Sequence, residues 1–232
     1  VAGSESLFGQ EYFNHSFFGV QFRLPGYGSF GISVEDFSVD YSGNSLSKET
    51  SIGLHQGITL SSDRNSTISF GYGIKNYTVD YGSTAGVTGD GSDGIDLGSQ
   101  SSLGIDIGLL ASLADRIRFG AKAFNINSPT LGDANSAVRL PQRAQVGIAF
   151  SPYDLVWTTA ALTKSTGHAS HFHGGMSYHI LDNIFLRAGV MTNPNRFATG
   201  FEVLVKKIRI NYAFMTHPVL PLSHQVSVEV VR

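Results

Sequence analysis

The chain contains no cysteine among its 232 residues. Without thiols it can form no disulfide, no zinc–thiolate site and no iron–sulfur cluster. A cysteine-free sequence is compatible with an oxidising compartment of the cell envelope. No other pattern of ligands replaces the missing thiolates, so we expect no cofactor and no metal site.

Charged residues are also scarce. They make up 15% of the chain, whereas an average soluble domain carries roughly 25%. The formal net charge is −2. The chain thus has no excess of basic residues of the kind found in nucleic-acid-binding proteins, and we expect no nucleic-acid partner. No run approaches the ~18 apolar residues that a membrane helix requires. If the chain crosses a bilayer, it must do so as a closed barrel, because lipid does not tolerate open sheet edges.

What the sequence does contain is an alternation of apolar and other residues. Four segments show it most clearly: Leu103-Ile105-Ile107-Leu109, Ile117-Phe119-Ala121-Ala123, Ile208-Ile210-Tyr212-Phe214 and Val226-Val228-Val230. A period of two predicts strands with one apolar face and one polar face. A soluble sandwich would bury the apolar faces against each other. A membrane barrel would turn them to lipid and turn the polar faces to a lumen.

Turn residues divide the chain into fourteen predicted strands. They run over 1–8, 12–24, 28–41, 47–61, 66–82, 98–112, 116–128, 138–150, 155–165, 169–180, 184–193, 198–205, 207–216 and 223–232. The two longest connections, 83–97 and 129–137, follow the fifth and seventh strands, and connections after even-numbered strands are all short. Outer-membrane barrels combine an even strand number with short periplasmic turns and longer outer loops. The sequence therefore predicts an all-β transmembrane antiparallel barrel, rather than a sandwich, as a single domain over 1–232.

The segments of the C-terminal third follow an order that is typical of one family. They are Leu186-Arg187-Ala188-Gly189, Phe197-Ala198-Thr199-Gly200-Phe201, Ile210-Asn211-Tyr212-Ala213-Phe214 and His217-Pro218-Val219-Leu220 with His224. Central segments agree, namely 104–110, 119–126 and Arg139-Leu140-Pro141 before 146–150. The chain thereby resembles the PorV/PorQ family of FadL-like outer-membrane barrels over most of its length.

This resemblance implies a fourteen-stranded barrel in the bacterial outer membrane. Its best-known members serve the type IX secretion system, where they accept folded cargo and pass it on at the cell surface. The resemblance thus implies a non-enzymatic docking or shuttle component with protein partners, in contact with outer-membrane lipid. FadL-like relatives admit hydrophobic small molecules, and this channel function is the alternative. The family usually opens with an Asn-Pro-Ala-Gly type segment, whereas this chain begins at Val1, and we interpret it as processed.

Two groups of residues are candidates for function. Alternation assigns one group to the lumen: Asp106, Arg116, Arg118, Lys122, Arg143, Arg187, Glu202, Arg209 and Glu229. Buried charges must pair, so these side chains either fill the lumen with ion pairs or line a pathway. The second group lies in outer connections and could dock a partner: Asp90, Asp93, Asp96, His217, Pro218 and Leu220.

Other functions have weaker support in the sequence. The aspartates of 83–97 do not match a calcium-loop signature. His171 and His173 share a strand face, but a zinc site needs three or four convergent ligands. There is no nucleophile elbow and no phosphate loop, so we expect the protein to have no enzymatic activity. A purely structural barrel subunit of an envelope complex and a soluble sandwich or adhesin are the remaining alternatives.

Overall fold

The computed structural model describes residues 1–41, 44–84, 86–89, 93–132 and 137–231. None of these residues belongs to a helix that could span a bilayer. The strands are β1 (Ala2–Ser6), β2 (Phe13–Leu24), β3 (Gly28–Tyr41), β4 (Asn44–Ser62), β5 (Ser66–Asp80), β6 (Ser99–Leu113), β7 (Ile117–Phe124), β8 (Thr130–Leu131), β9 (Val138–Arg139), β10 (Arg143–Tyr153), β11 (Val156–Ser165), β12 (His171–Leu181), β13 (Ile184–Met191), β14 (Arg196–Val205), β15 (Ile208–Met215) and β16 (Ser223–Val230).

Fourteen of these strands form one closed antiparallel barrel. Each barrel strand pairs with the next along the chain, and β16 pairs back to β1 with Ala2 opposite Val228. The short hairpin β8–β9 stands outside the barrel, so β7 pairs directly with β10. A closed sheet satisfies the backbone hydrogen bonds of its strands internally, which is the condition for crossing a bilayer with strands.

The outer face of the barrel is apolar and exposed. Large side chains of the predicted apolar phase lie on it, including Ile105, Ile107, Phe119, Ile208, Ile210, Val226 and Val228. Among the described residues, Leu131 is the one buried hydrophobic core residue. A soluble sandwich would bury these strand faces in a shared core, so the sandwich is excluded. The transmembrane barrel predicted from the alternation is confirmed.

The two ends of the barrel differ. At one end the connections 25–27, 63–65, 114–116, 154–155, 182–183 and 206–207 have two or three residues each. At the other end lie the longest connections, 81–98 and 125–142. This division into short periplasmic turns and longer outer loops is typical of outer-membrane barrels, and it agrees with the sequence prediction.

Two predicted strands are wrong at their outer ends. The seventh ends at Phe124 rather than at 128, because Asn125 (φ 55) and Ser128 (φ 51) adopt left-handed backbone conformations that no strand continues. The eighth begins at Arg143 rather than at 138, because Pro141 has no N–H to donate to a ladder. Residues 138–139 pair instead with 130–131 as the hairpin β8–β9, above the barrel wall.

Candidate functional site: the barrel lumen

The lumen is walled by small residues in neighbouring strands. Registered rows of inward-facing positions consist of glycine and alanine: Gly57–Gly71–Gly108, Gly120–Gly147–Ala161 and Gly175–Gly189–Ala198. The first two rows line a cavity of about 1360 Å³ inside the barrel. Because these positions carry almost no side chain, fourteen strands enclose open volume instead of a packed core.

Asp106 is the centre of an ionic cluster on the wall formed by β5, β6, β7 and β10. Its side chain is almost completely buried, with the residue 2% exposed. Oδ2 lies 3.6 Å from Nζ of Lys75 and 3.7 Å from Nζ of Lys122, and Oδ1 accepts a hydrogen bond from the backbone N–H of Asn125 at 3.1 Å. The two ammonium groups and the N–H supply the compensation that a buried carboxylate needs.

The same wall carries more cations than carboxylates. Three cationic groups surround the ring of Phe124: Arg143 and Lys122 lie 4.0 Å from its centroid, and Lys75 lies 5.9 Å away. Within the described part of the chain, Arg143 makes no ion pair with a carboxylate. The aromatic face provides it with an attractive partner instead. Lower on the same wall, the guanidinium of Arg118 lies 4.4 Å from the ring of Trp157.

A second ionic cluster joins four neighbouring strands, β13 to β16. Glu202, 2% exposed, pairs with Arg187 and with Nε of Arg209, which lies 2.9 Å from its Oε1. Arg209 also donates from Nη1 to Oε2 of Glu229 at 2.7 Å. Two guanidinium groups and two carboxylates alternate along this chain of contacts, so their formal charges balance within the wall.

Arg116 lies apart from both clusters. It belongs to the periplasmic turn before β7, and it pairs through Nη2 with Asp154 in the next turn at 2.8 Å. Nη1 reaches the carbonyl oxygens of Ser151 and Pro152, each at 3.4 Å. Its side chain is half exposed. The structure therefore places Arg116 between two turns at the rim of the barrel, whereas the other eight lumen candidates lie on strands.

Sequence reasoning missed a third cluster, near the outer end of the lumen. Nδ1 of His15 lies 2.9 Å from Oε2 of Glu5, and Nε2 lies 3.1 Å from Oε1 of Glu35, so one imidazole bridges β1 and β3. A neighbouring contact joins His55 Nε2 and the Ser33 hydroxyl at 2.9 Å. Glu5, His15 and Glu35 occupy the polar phase of their strands. Extending the alternation to these less regular segments would have found them.

The outer-loop candidates make hydrogen bonds inside their own loops. Asp93 accepts from the Thr88 hydroxyl at 2.7 Å and from the N–H of Val87 at 3.1 Å. Hydrogen bonds from the Thr88 hydroxyl and from the backbone N–H groups of Thr88 and Val87 hold the pKa of Asp93 below its usual value. Asp96 accepts from the N–H of Gly98 at 2.8 Å. Asp90 lies outside the described residues.

His217 stabilises the last outer loop. Its Nδ1 accepts from the backbone N–H groups of Val219 at 3.3 Å and Leu220 at 3.1 Å, across Pro218. Its ring meets that of Phe8 edge to face, with centroids 5.4 Å apart. In the described ranges, no three His, Asp or Glu side chains converge in a way that could hold a metal ion.

Fold and lumen together define a transmembrane β-barrel with an open, glycine-walled interior. No family model and no curated protein matches the chain. Solved structures do match. The TodX deltaS2S3 mutant monoaromatic hydrocarbon channel has a TM-score of 0.61 at 11% identity, over 98% of this chain and 86% of that one. The Pseudomonas putida toluene transporter TodX gives 0.59 at 11% identity, with coverage of 98% and 86%.

A Pseudomonas aeruginosa FadL homologue has a TM-score of 0.52 at 14% identity, over 93% of this chain and 75% of that one. Identities this low show the fold alone, and that fold is a FadL-like barrel. The resemblance to FadL-like barrels that was seen in the sequence is thereby supported. The narrower likeness to PorV/PorQ stays a prediction.

Proposed function

We propose that this chain is a bacterial outer-membrane channel for hydrophobic small molecules, without enzymatic activity. The observation that carries the proposal is the cavity of about 1360 Å³ behind walls of glycine and alanine. Ligand sites for small molecules are concave and mostly apolar, with a few placed polar groups. Here His55, Asp106, Lys122 and Gln145 are among the polar groups that line the cavity, between positions occupied by glycine and alanine.

The paired carboxylates of the lumen agree with an apolar solute. Glu202 is neutralised by Arg187 and Arg209, and Asp106 by Lys75 and Lys122. A carboxylate that already has its partners does not need to be desolvated further when an apolar molecule passes. The solved barrels with a similar fold include a toluene transporter and a monoaromatic hydrocarbon channel, and the proposal extends that class of solute to this chain.

The docking or shuttle function implied by the PorV/PorQ resemblance has less support. Asp93, Asp96 and His217 direct their polar atoms to groups in their own loops. Those contacts give the three residues a structural role within their loops and require no docked partner. No observation favours a structural subunit over a channel either, so the channel is the function that the geometry supports best.

The test places a large side chain in the cavity and compares its effect with that of the same side chain on the outer face of the same strand. Gly120 points into the cavity, and the nearest atom to a Cβ added there is Cδ1 of Leu110 at 3.9 Å. Gly120→Phe should therefore fold and obstruct the lumen. Ala121→Phe adds the same ring one residue later, on the exposed outer face, and is the matched control.

Both variants are checked for folding by heat-modifiable gel mobility and assayed for toluene uptake into cells. The expected result is that Gly120→Phe loses most of the uptake while Ala121→Phe keeps it. Equal uptake by wild type and both folded variants would overturn the channel function.

A further inference from the structure

The outer face of the barrel carries a groove across β12, β13, β14 and β15. We call it the β12–β15 groove; it is lined by Gly174, Met176, Ala188, Val190, Phe197, Thr199, Phe214 and Thr216, together with the backbone of neighbouring residues. Its volume is about 550 Å³, which is within the ~300–1,000 Å³ of small-molecule sites. It lies on the face opposite to the lumen and is separate from the cavity assigned to the solute.

The groove has a small-residue floor and a large-residue rim. One registered row runs Met176–Ala188–Thr199–Phe214, and the next runs Gly174–Val190–Phe197. Ala188 carries a single methyl group between these larger side chains, and Val190 Cγ2 lies 3.2 Å from where a Cβ of Gly174 would be. Phe197 is 65% exposed and stands out from the wall at one edge. This alternation of heights forms an elongated depression in the outer face of the barrel.

The lining offers no free hydrogen-bonding group. The Thr199 hydroxyl donates to the carbonyl oxygen of Arg187 at 3.0 Å. The Thr216 hydroxyl donates to the carbonyl oxygen of Phe197 at 3.2 Å and accepts from its N–H at 2.9 Å. Both hydroxyls are thus bonded to backbone groups, and no charged side chain is among the described residues that line the groove. An occupant therefore gains only apolar contact.

The position of the groove identifies that occupant. It lies in the apolar band that faces lipid in a transmembrane barrel. Gly174, Val190, Phe197 and Phe214 each lie within three residues of the outer end of their strand. We propose that the β12–β15 groove is a binding site for one acyl chain of a lipid in the outer leaflet, held by its shape rather than by a headgroup contact.

The test uses the full chain in vesicles of phosphatidylethanolamine that contain a trace of the same lipid with a diazirine on its acyl chain. After irradiation and digestion, mass spectrometry locates the crosslinks. The expected crosslinks concentrate on Met176, Val190 and Phe197, relative to Phe18 and Val146, which are equally large, exposed residues of the outer face elsewhere. Equal labelling of all five residues would overturn the proposal, because that pattern is expected of ordinary boundary lipid.

A substitution in the floor gives the second readout. Ala188→Leu fills the groove and should lower crosslinking at Phe197 about tenfold, which corresponds to about 1.4 kcal/mol of binding free energy. Ala144→Leu, an exposed alanine on the outer face of β10, is the matched control and should change nothing. Both variants must show wild-type heat-modifiable mobility.

Two other results would overturn the assignment of an acyl chain. Loss of groove labelling on addition of toluene would make the groove a site for the solute. Chain-to-chain crosslinks at Phe197 would make it a contact between two copies of the barrel. Either result is independent of the uptake assay with Gly120→Phe, so failure of this inference is distinguishable from failure of the channel function.

Discussion

Nη1 of Arg209 donates a hydrogen bond to Oε2 of Glu229 across 2.7 Å, while Nε of the same guanidinium lies against the buried Glu202. Arg209 on β15 thus joins two carboxylates of the lumen wall, one on each of the strands that flank its own. The two carboxylates differ in environment, since the Glu202 side chain is 3% exposed and the Glu229 side chain is 37% exposed. We therefore expect the two carboxylates to differ in how much stability is lost when each is removed.

Glu202→Gln should destabilise the barrel more than Glu229→Gln. Removing the Glu202 charge leaves Arg187 and Arg209 without their shared, buried partner, whereas Glu229 is more exposed and water can replace much of its contact with Arg209. Because both arginines keep some contact with solvent, we expect a loss of about 1–3 kcal/mol for Glu202→Gln and less than about 1 kcal/mol for Glu229→Gln. Unfolding in urea, followed by gel mobility, measures both. Equal losses would contradict a coupled cluster centred on Glu202.

Neighbouring leucines of β6 test which face meets lipid. Leu109 and Leu110 are similarly exposed, at 53% and 51%, but Leu109 is registered with Ala121 on the outer face and Leu110 with Gly120 in the lumen. Leu109→Arg should lower stability by about 2–4 kcal/mol in a bilayer, because a charge enters hydrocarbon. Leu110→Arg should cost much less, since its charge enters the cavity. Refolding into lipid vesicles at several urea concentrations gives both values; a reversed order would contradict the assignment of faces.

The long outer loop can be removed without loss of the barrel. Its described contacts are within the loop, including a bridge between Ser83 and Asp96 and the bonds of Asp93. Replacing residues 83–97 by a tight Asn-Gly turn should therefore leave heat-modifiable mobility unchanged.

The channel function predicts that this loop-deleted chain still takes up toluene and loses no co-purifying protein. The docking function predicts intact folding with loss of a partner from mild-detergent extracts and impaired secretion. Uptake and co-purification measured on the same membranes separate the two. Normal uptake with a lost partner would count in favour of docking.

Acidification should loosen the same loop. Hydrogen bonding to the Thr88 hydroxyl and nearby N–H groups lowers the folded-state pKa of Asp93. A lowered folded pKa means that this stabilisation is complete above the unfolded value of about 3.9 and is lost as pH falls through the folded value. Hydrogen exchange of the Val87 amide should be equally protected from neutral pH down to about 5 and lose protection below about 4.

Asp93→Asn provides the control for that experiment. It removes the charge at every pH, so the protection of Val87 should already be reduced at neutral pH and should no longer depend on acid. A wild-type level of protection in Asp93→Asn would show that the carboxylate charge does not hold the loop.

The architecture of this protein follows from local patterns in its amino-acid sequence. A period of two in segments such as 103–109 and 208–214 requires an apolar strand face, and the scarcity of charge and of long apolar runs left a closed barrel as the solution in lipid. Turn residues then gave the strand number, and loop lengths gave the orientation. These features are local or additive along the chain, so they do not depend on which residues meet in space.

The contacts of the inward residues, in contrast, depend on how the strands meet in space. Alternation placed Asp106 and Glu202 on the lumen side, but the register between strands decides that Lys75 and Lys122 meet the first and that two arginines meet the second. The open cavity arises because glycines of separate strands align in rows. The ends of β7 and β10 depended on left-handed residues and on a proline. Pairing across strands is a long-range property, and a single sequence does not record it.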